Sequence, residues 1–414
     1  MSEWKSLSSI TSKIGSGSTP RGGNSVYSDS GISFIRSQNV LDMDFSTENL
    51  AFINDSQAEK LNNVIVEKND ILLNITGDSI ARCTVVPEEI LPARVNQHVS
   101  IIRCKNTEES KYVMYYLQYM KKYLLQISKV GGTRNALTKE AIGKLPIKIS
   151  DDCNKISKIL DNIDQKIQTN NQINQELEAM AKTLYDYWFV QFDFPDQNGK
   201  PYKSSGGKMV YHPELKREIP EGWGVEKLGE LAQFKNGINY EKTSSGSEKV
   251  KIINVRNISS STIFINQTDL DEIFLENDKS TNFIVNEGMI LITRSGIPGA
   301  TRLVSELEAK TVYSGFIIAS EVNDLIYKNL IFYYLKNVEE VLKNQSAGTI
   351  MKNISQSVLT DMAVSLPPQN VLLKFNSIID DLLEQMKNVQ RQNQELTQLR
   401  DWLLPMLMNG QVII

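Results

Sequence analysis

Cysteine is scarce in this chain: Cys83, Cys104 and Cys153 are the only three in 414 residues. They are too few and too far apart for a disulfide framework or a four-ligand zinc site, which points to a reducing compartment. The two histidines, His98 and His212, stand far apart in sequence. No apolar run reaches the ~20 residues a membrane helix needs. The N-terminus lacks the charged, apolar and cleavage regions of a signal peptide. A cytoplasmic protein with no membrane partner is expected. Neither sign of charge dominates: the net charge is -4, with 23% charged and 41% hydrophobic residues, as in ordinary soluble globular chains. Any surface for a polyanion must therefore be local.

Catalytic motifs are also missing. There is no Gly-rich loop ending in Gly-Lys-Ser/Thr, so nucleotide hydrolysis has no home. Leu366-Pro367-Pro368-Gln369 is the nearest approach to the Asn/Asp-Pro-Pro-Tyr/Phe segment of amino-methyltransferases. It lacks both the polar residue before and the aromatic after. Glu308-Ala309-Lys310 has the Glu-x-Lys spacing of many nucleases but no Pro-Asp upstream, and a surface charge pair is the simpler reading. Asp151-Asp152 and Asp380-Asp381 open or line expected helices, where the helix dipole alone accounts for acid near an N-terminus. No catalytic residue, metal site or cofactor is expected on this chain.

What the chain does have is a second copy of itself, and a repeat of this size sets the architecture first. Trp4-Lys5-Ser6-Leu7 recurs about 219 positions later around Trp223 and Lys227-Leu228. Phe34-Ile35-Arg36 with Asn39-Val40 recurs as Ile252-Ile253 with Arg256-Asn257-Ile258. Asp70 to Leu73 with Thr76-Gly77 recurs as Gly288 to Leu291 with Thr293 to Gly296. Gly131-Gly132-Thr133 recurs as Ala347-Gly348-Thr349, and Gln175-Glu176-Leu177 as Gln394-Glu395-Leu396. Pattern is kept more than identity, as in two modules with one fold and different surfaces.

Within each copy, short apolar runs alternate with turn residues. Ile32–Ile35, Val64–Val66, Asp70–Ile75 and His98–Ile102 read as strands, separated by loops such as Gly15–Pro20 and Arg21–Asn24. Ser110 to Gln126, matched by Ile326 to Leu342, has helical spacing. After each module the pattern becomes a heptad. Ile156, Ile163, Leu177 and Leu184 hold one seam, with Asn170 inside it. Ile159, Ile173, Met180 and Tyr187 hold the other, with Lys166 inside it. In the second copy Phe375, Leu382, Val389, Leu396 and Leu403 form one seam. Ile378, Leu399 and Met406 form the other, interrupted by Gln385 and Gln392. A heptad held over about four repeats predicts a coiled coil, and a polar seam residue such as Asn170 fixes register. The segment Phe192 to Trp223 is turn-rich and reads as a linker.

Contact with a polyanion is indicated locally. Lys121, Lys122, Lys129, Arg134, Lys139, Lys144 and Lys148 lie in one short span whose only acid is Glu140. Within it, Gly131 to Asn135 offers donors for phosphates and base edges. The second copy places Thr349 between Lys343 and Lys352. Thr76 to Ser79 with Arg82 pairs with Thr293 to Gly296 with Arg302, each after an expected strand. Solvated turn loops are the plainer alternative at each position. Leu184 to Phe192 and Leu399 to Met406 end the two helices in aromatic clusters, each either a packed junction or a protein-docking patch.

Taken together, the chain resembles the DNA-specificity subunits of type I restriction–modification enzymes. The tandem modules, the heptad helix after each, the Trp188-Phe189-Val190-Gln191-Phe192-Asp193 segment and the Ile219-Pro220-Glu221-Gly222-Trp223 lead carry the resemblance. The first module departs from the pattern by starting at Trp4 without the Ile-Pro-x-Gly lead. Gln191 stands where many relatives carry Asp.

The resemblance implies an α+β, non-catalytic subunit with two mixed α/β target-recognition domains, 1–150 and 220–368. Each would read one half of a bipartite double-stranded DNA target. The central helix (151–191), after which comes a linker (192–219), and the C-terminal helix (369–414) would form a pseudo-two-fold antiparallel coiled coil that sets the spacer. Two methyltransferase subunits and motor-nuclease subunits are the implied partners, with S-adenosylmethionine, ATP and Mg expected on them, in a bacterial or archaeal cytoplasm. Loop position and side-chain type give the DNA-contact candidates, which in the first module are Thr19, Arg21, Arg36, Asn39, Thr76, Ser79, Arg82, Arg94, Lys129, Thr133, Arg134 and Asn135. In the second they are Lys235, Asn239, Arg256, Asn257, Thr293, Arg294, Ser295, Arg302, Thr349 and Lys352. The resemblance favours docking for the aromatic clusters and puts Tyr185, Trp188, Phe189, Phe192, Trp402 and Leu403 at or near the methyltransferase interface. A stand-alone two-headed DNA-binding or regulatory protein and a protein-binding helical scaffold are the alternatives.

Overall fold

A computed structural model describes residues 3–20, 22–129, 135–240, 246–346 and 353–412. The chain divides into two units, residues 1–170 with 392–414, and residues 171–391.

The first unit is built around a four-stranded antiparallel sheet ordered Thr11–Ser16, Val99–Cys104, Ile71–Asn74, Cys83–Val85. Ile71-Leu72-Leu73 is a continuous apolar run because the sheet is covered on both faces. Ile71 and Leu73 enter one core with Tyr112, Tyr115 and Tyr116 of the helix Ser110–Tyr119. Leu72 enters the other, with Phe34 and Val95 of a second sheet. That five-stranded sheet contains one parallel pair, Ile32–Ile35 against Ala93–Val95. The module closes on itself where Glu3–Ser6 pairs with Pro146–Ile149.

The second unit repeats this plan. Its central sheet runs Ala232–Asn236, Ile317–Val322, Ile290–Thr293, Thr301–Leu303. Ile290 and Ile292 face one core, and Leu291 faces the other. Glu248–Ile253 lies parallel to Thr311–Tyr313, and Gly224–Lys227 closes against Ala363–Leu366. A glycine follows the first central strand in each copy. A Cβ on Gly17 would lie 2.1 Å from the Val95 carbonyl oxygen, and one on Gly237 would lie 2.3 Å from that of Ser314. Backbone crossing backbone at this distance tolerates no side chain.

The expected long helices span Cys153–Tyr185 and Gln369–Asn409. In the first unit their contacts run in opposite directions along the two segments. Asp164 accepts from Arg400 at 2.9 Å, and the Asn170 amide donates to Asn393 at 2.9 Å, so the pairing is antiparallel. Asp164 also accepts from the Tyr115 hydroxyl at 2.6 Å. Burial and the neighbouring Asp164 charge push the Tyr115 hydroxyl far above its ordinary value. In the second unit the corresponding junction is apolar: Leu177, Ala181, Tyr185 and Trp188 pack with Phe375, Ile379, Leu383 and Met386.

Among the described residues the two heptad seams are buried unequally, although Ile159 of the second packs against the first unit's core. Ile156, Asn170 and Leu177 are buried, whereas Ile173, Met180 and Tyr187 of the other seam are exposed, as are Ile378 and Leu399 on the second long helix.

The segment expected to be a linker is folded. It carries a hairpin, Met209–His212 against Arg217–Pro220. Phe192 and Phe194 are buried against Trp223, with ring centroids 5.3 and 5.1 Å away. Its aromatic residues are anchored one at a time between turns, which leaves no periodic pattern to read.

Candidate nucleic-acid interface

In each unit three backbone segments meet at one end of the central sheet. In the first, the Ile75 N–H donates to the His98 carbonyl and the Leu137 N–H donates to the Ile75 carbonyl, both at 2.9 Å. In the second, the Arg294 N–H donates to Phe316 at 2.8 Å and the Ile354 N–H donates to Arg294 at 2.9 Å. Isolated bridges continue the match, Thr76 with Ala136 and Ser295 with Asn353. The strand-end loop and the segment returning from the Gly-rich loop are thus brought together in both copies. The loop after the first central strand joins them. Ser18 donates to the Val95 carbonyl at 3.1 Å and Ile238 to that of Tyr313 at 2.9 Å.

This ladder gathers several of the residues singled out from sequence. Thr76, Ser79 and Arg82 are half-buried on the strand-end loop, while Thr19, Lys129 and Asn135 are exposed. The Thr76 hydroxyl lies 2.6 Å from His98 Nδ1. In the second unit Arg294 and Ser295 are half-buried, and Lys235 and Asn239 are exposed. Lys235 lies 3.7 Å from Glu321. Arg21, Thr133, Arg134, Thr349 and Lys352 lie outside the described residues.

Other candidates are held by contacts within the chain, five of them buried. Asn39 and Asn257 are buried staples at equivalent positions. Asn39 Oδ1 accepts from the Arg36 N–H and its amide donates to Ser46 and Glu48 carbonyls. Asn257 accepts from the Asn254 N–H and donates to the Asp269 carbonyl. Arg94 is buried, donates to the Ala93 carbonyl, and burial lowers its pKa. Arg302 pairs with Glu339 at 3.1 Å, their side chains 8% and 3% exposed, and donates to the Ser261 carbonyl at 2.6 Å. Thr293 is buried and accepts from the Ala300 N–H. Arg36 donates to the Asn49 carbonyl and Arg256 pairs with Asp271 at 2.7 Å. The five buried ones, Asn39, Arg94, Asn257, Thr293 and Arg302, brace the fold, because buried polar groups must be paired within the chain, whereas Arg36 is half-buried and Arg256 is exposed beside its carboxylate. The basic span is likewise partly neutralised, Lys121 by Asp42 and Lys144 by Glu140. Lys122, Lys129 and Lys139 remain exposed.

The aromatic clusters differ from each other. Tyr185, Trp188, Phe189 and Phe192 are buried in the second unit's core, with Phe189 edge-on to Phe375 at 4.7 Å. They form a packed junction within that unit. Leu403 packs partly buried on the first unit's core, and Trp402 is 60% exposed.

Sequence reading missed the turn Gln97-His98 and its counterpart Gly315-Phe316. The scarcity of histidine was the one available signal. An exposed Phe beside a Gly gave none, because exposure is invisible in a sequence.

Among the described residues, no group of His, Cys, Asp or Glu is placed to hold a metal, and no helix is long and apolar enough to cross a membrane. The family model described as "Type I restriction modification DNA specificity domain" matches the chain twice, over residues 1–179 and 220–398. The chain is 27% identical over 333 residues to the type I restriction enzyme MjaIX specificity subunit of Methanocaldococcus jannaschii, covering 78% of this chain and 73% of that one. It is 23% identical to the HindI specificity subunit of Haemophilus influenzae, covering 68% and 72%. In fold it is similar to the type I restriction–modification S subunit from M. genitalium, with a TM-score of 0.53 at 14% identity, covering 98% and 96%. The two matched stretches coincide with the two copies of the loop ladder and the helix after each, and the chain belongs to the type I restriction–modification DNA specificity family.

Proposed function

We propose that this chain is the non-catalytic sequence-reading subunit of a type I restriction–modification complex. Each unit reads one half of a split double-stranded DNA target. The observation that carries this reading is the loop ladder, built twice with one backbone pattern and different side chains: His98 and Thr76 in one copy, Phe316 and Ser295 in the other. Two readers of different sequences need that combination. Exposed cations such as Lys122, Lys129 and Lys139 supply phosphate contacts, which set affinity and its salt dependence. Ladder side chains supply the base contacts.

Two methyltransferase subunits dock on the long helices. The exposed heptad seam supports this: Ile173, Met180 and Tyr187 in the second unit and Leu399 in the first, with Trp402 exposed off the seam. Met180 and Leu399 occupy the same repeat position, one in each unit, as two copies of one partner require. Motor-nuclease subunits complete the complex in the cytoplasm, and S-adenosylmethionine, ATP and Mg belong to the partners.

The deciding experiment is co-expression with a cognate methyltransferase, followed by single-molecule mapping of methylated adenines. A split motif with a fixed spacer, present only with this chain, is expected. No new methylation from a folded complex would leave a stand-alone two-headed DNA binder as the reading.

A further inference from the structure

The turn at the head of the ladder carries His98 in the first unit and Phe316 in the second, on equivalent backbones. Phe316 is 62% exposed, so its ring is available to a partner at the head of the ladder. Its backbone is fixed on several sides. Its carbonyl accepts from the Arg294 N–H at 2.8 Å, and the preceding Gly315 N–H donates to the Ile238 carbonyl at 2.8 Å. Gly315 also lies beneath the Asn239 side chain, for a Cβ there would meet Asn239 Oδ1 at 2.1 Å. The turn is thus braced, with two polar candidates, Asn239 and Arg294, placed beside it by these contacts. In the first unit the same position is polar: His98 sits with Nδ1 on the Thr76 hydroxyl and Nε2 3.3 Å from the Gln97 amide nitrogen.

A phenyl ring has no donor or acceptor for a base edge. The one apolar group that a base pair presents in the major groove is the thymine 5-methyl. Resting on the DNA-reading function proposed above, we propose that Phe316 is a specificity-determining residue of the second unit that packs on a thymine methyl in its half-site. His98 is its hydrogen-bonding counterpart in the first unit.

The test uses the full chain in complex with its methyltransferase and the mapped target duplex. Each thymine of the second half-site is replaced in turn by uracil, which removes only the methyl. For the unaltered chain, one position should weaken binding about fourfold, the value of one methyl group taken out of water. Phe316→Ala should weaken thymine DNA by at least as much and be indifferent to uracil at that position. Phe316→Leu should keep part of the thymine preference, and neither variant should alter the first half-site. Equal uracil sensitivity in Phe316→Ala and the unaltered chain, or none at any position in the unaltered chain, overturns the proposal while leaving the DNA-reading function intact. Failure of the unaltered complex to prefer its target over random DNA removes both.

Discussion

Arg302 and Arg294 do different work, and mutation separates them. Arg302 is enclosed with Glu339. Removing one partner of such a pair strands the other charge in the interior, at a cost of about 3–5 kcal/mol. Glu339→Gln should therefore lower the denaturation midpoint of the full chain steeply, while the folded fraction keeps its sequence preference. Arg294 is half-buried at the ladder, with its backbone held by Phe316 and Ile354. Arg294→Ala should leave stability nearly unchanged and cost ~1–3 kcal/mol on the cognate duplex if the guanidinium reads a base. Comparing cognate with random DNA in a binding titration checks it, because a phosphate contact would weaken both equally.

At the scale of elements, periodic features were legible and single placements were not. The heptad foretold helices that the structure places at Cys153–Tyr185 and Gln369–Asn409. The run from Ser110 divides into helices Ser110–Tyr119 and Lys121–Ile127, because Met120 leaves helical geometry between them. The loops Thr76–Arg82 and Gly131–Asn135 are far apart in sequence, and only the fold shows Thr76 bridged to Ala136. Asn39 and Asn257 looked like base readers because an exposed Asn and a turn-stapling Asn are the same letter. The heptad likewise could not say which seam stays open. Met180, 56% exposed, gives the check: Met180→Glu should leave the melting temperature within a few degrees but reduce co-purification with the methyltransferase at least tenfold. Unchanged recovery would place the docking surface elsewhere.

For the molecule as a whole, helix length is the quantity that sets the spacer under the proposed function. Four residues added to the first long helix lengthen it by ~6 Å at 1.5 Å per residue. Base pairs stack at ~3.4 Å, so the methylated motif should gain about one or two spacer pairs with both half-sites unchanged. Genome-wide methylation mapping reads this directly, and an unchanged spacer would remove the helix as the ruler.

The pairing of each module's first strand with its last, Glu3–Ser6 with Pro146–Ile149 and Gly224–Lys227 with Ala363–Leu366, has a consequence for inheritance. A stretch of chain whose two ends leave side by side is topologically a cassette. It can be exchanged for another stretch that presents the same clasp and the same face to the long helices packed on it. New pairs of half-sites then arise by shuffling whole cassettes, a far shorter route than altering base contacts one codon at a time.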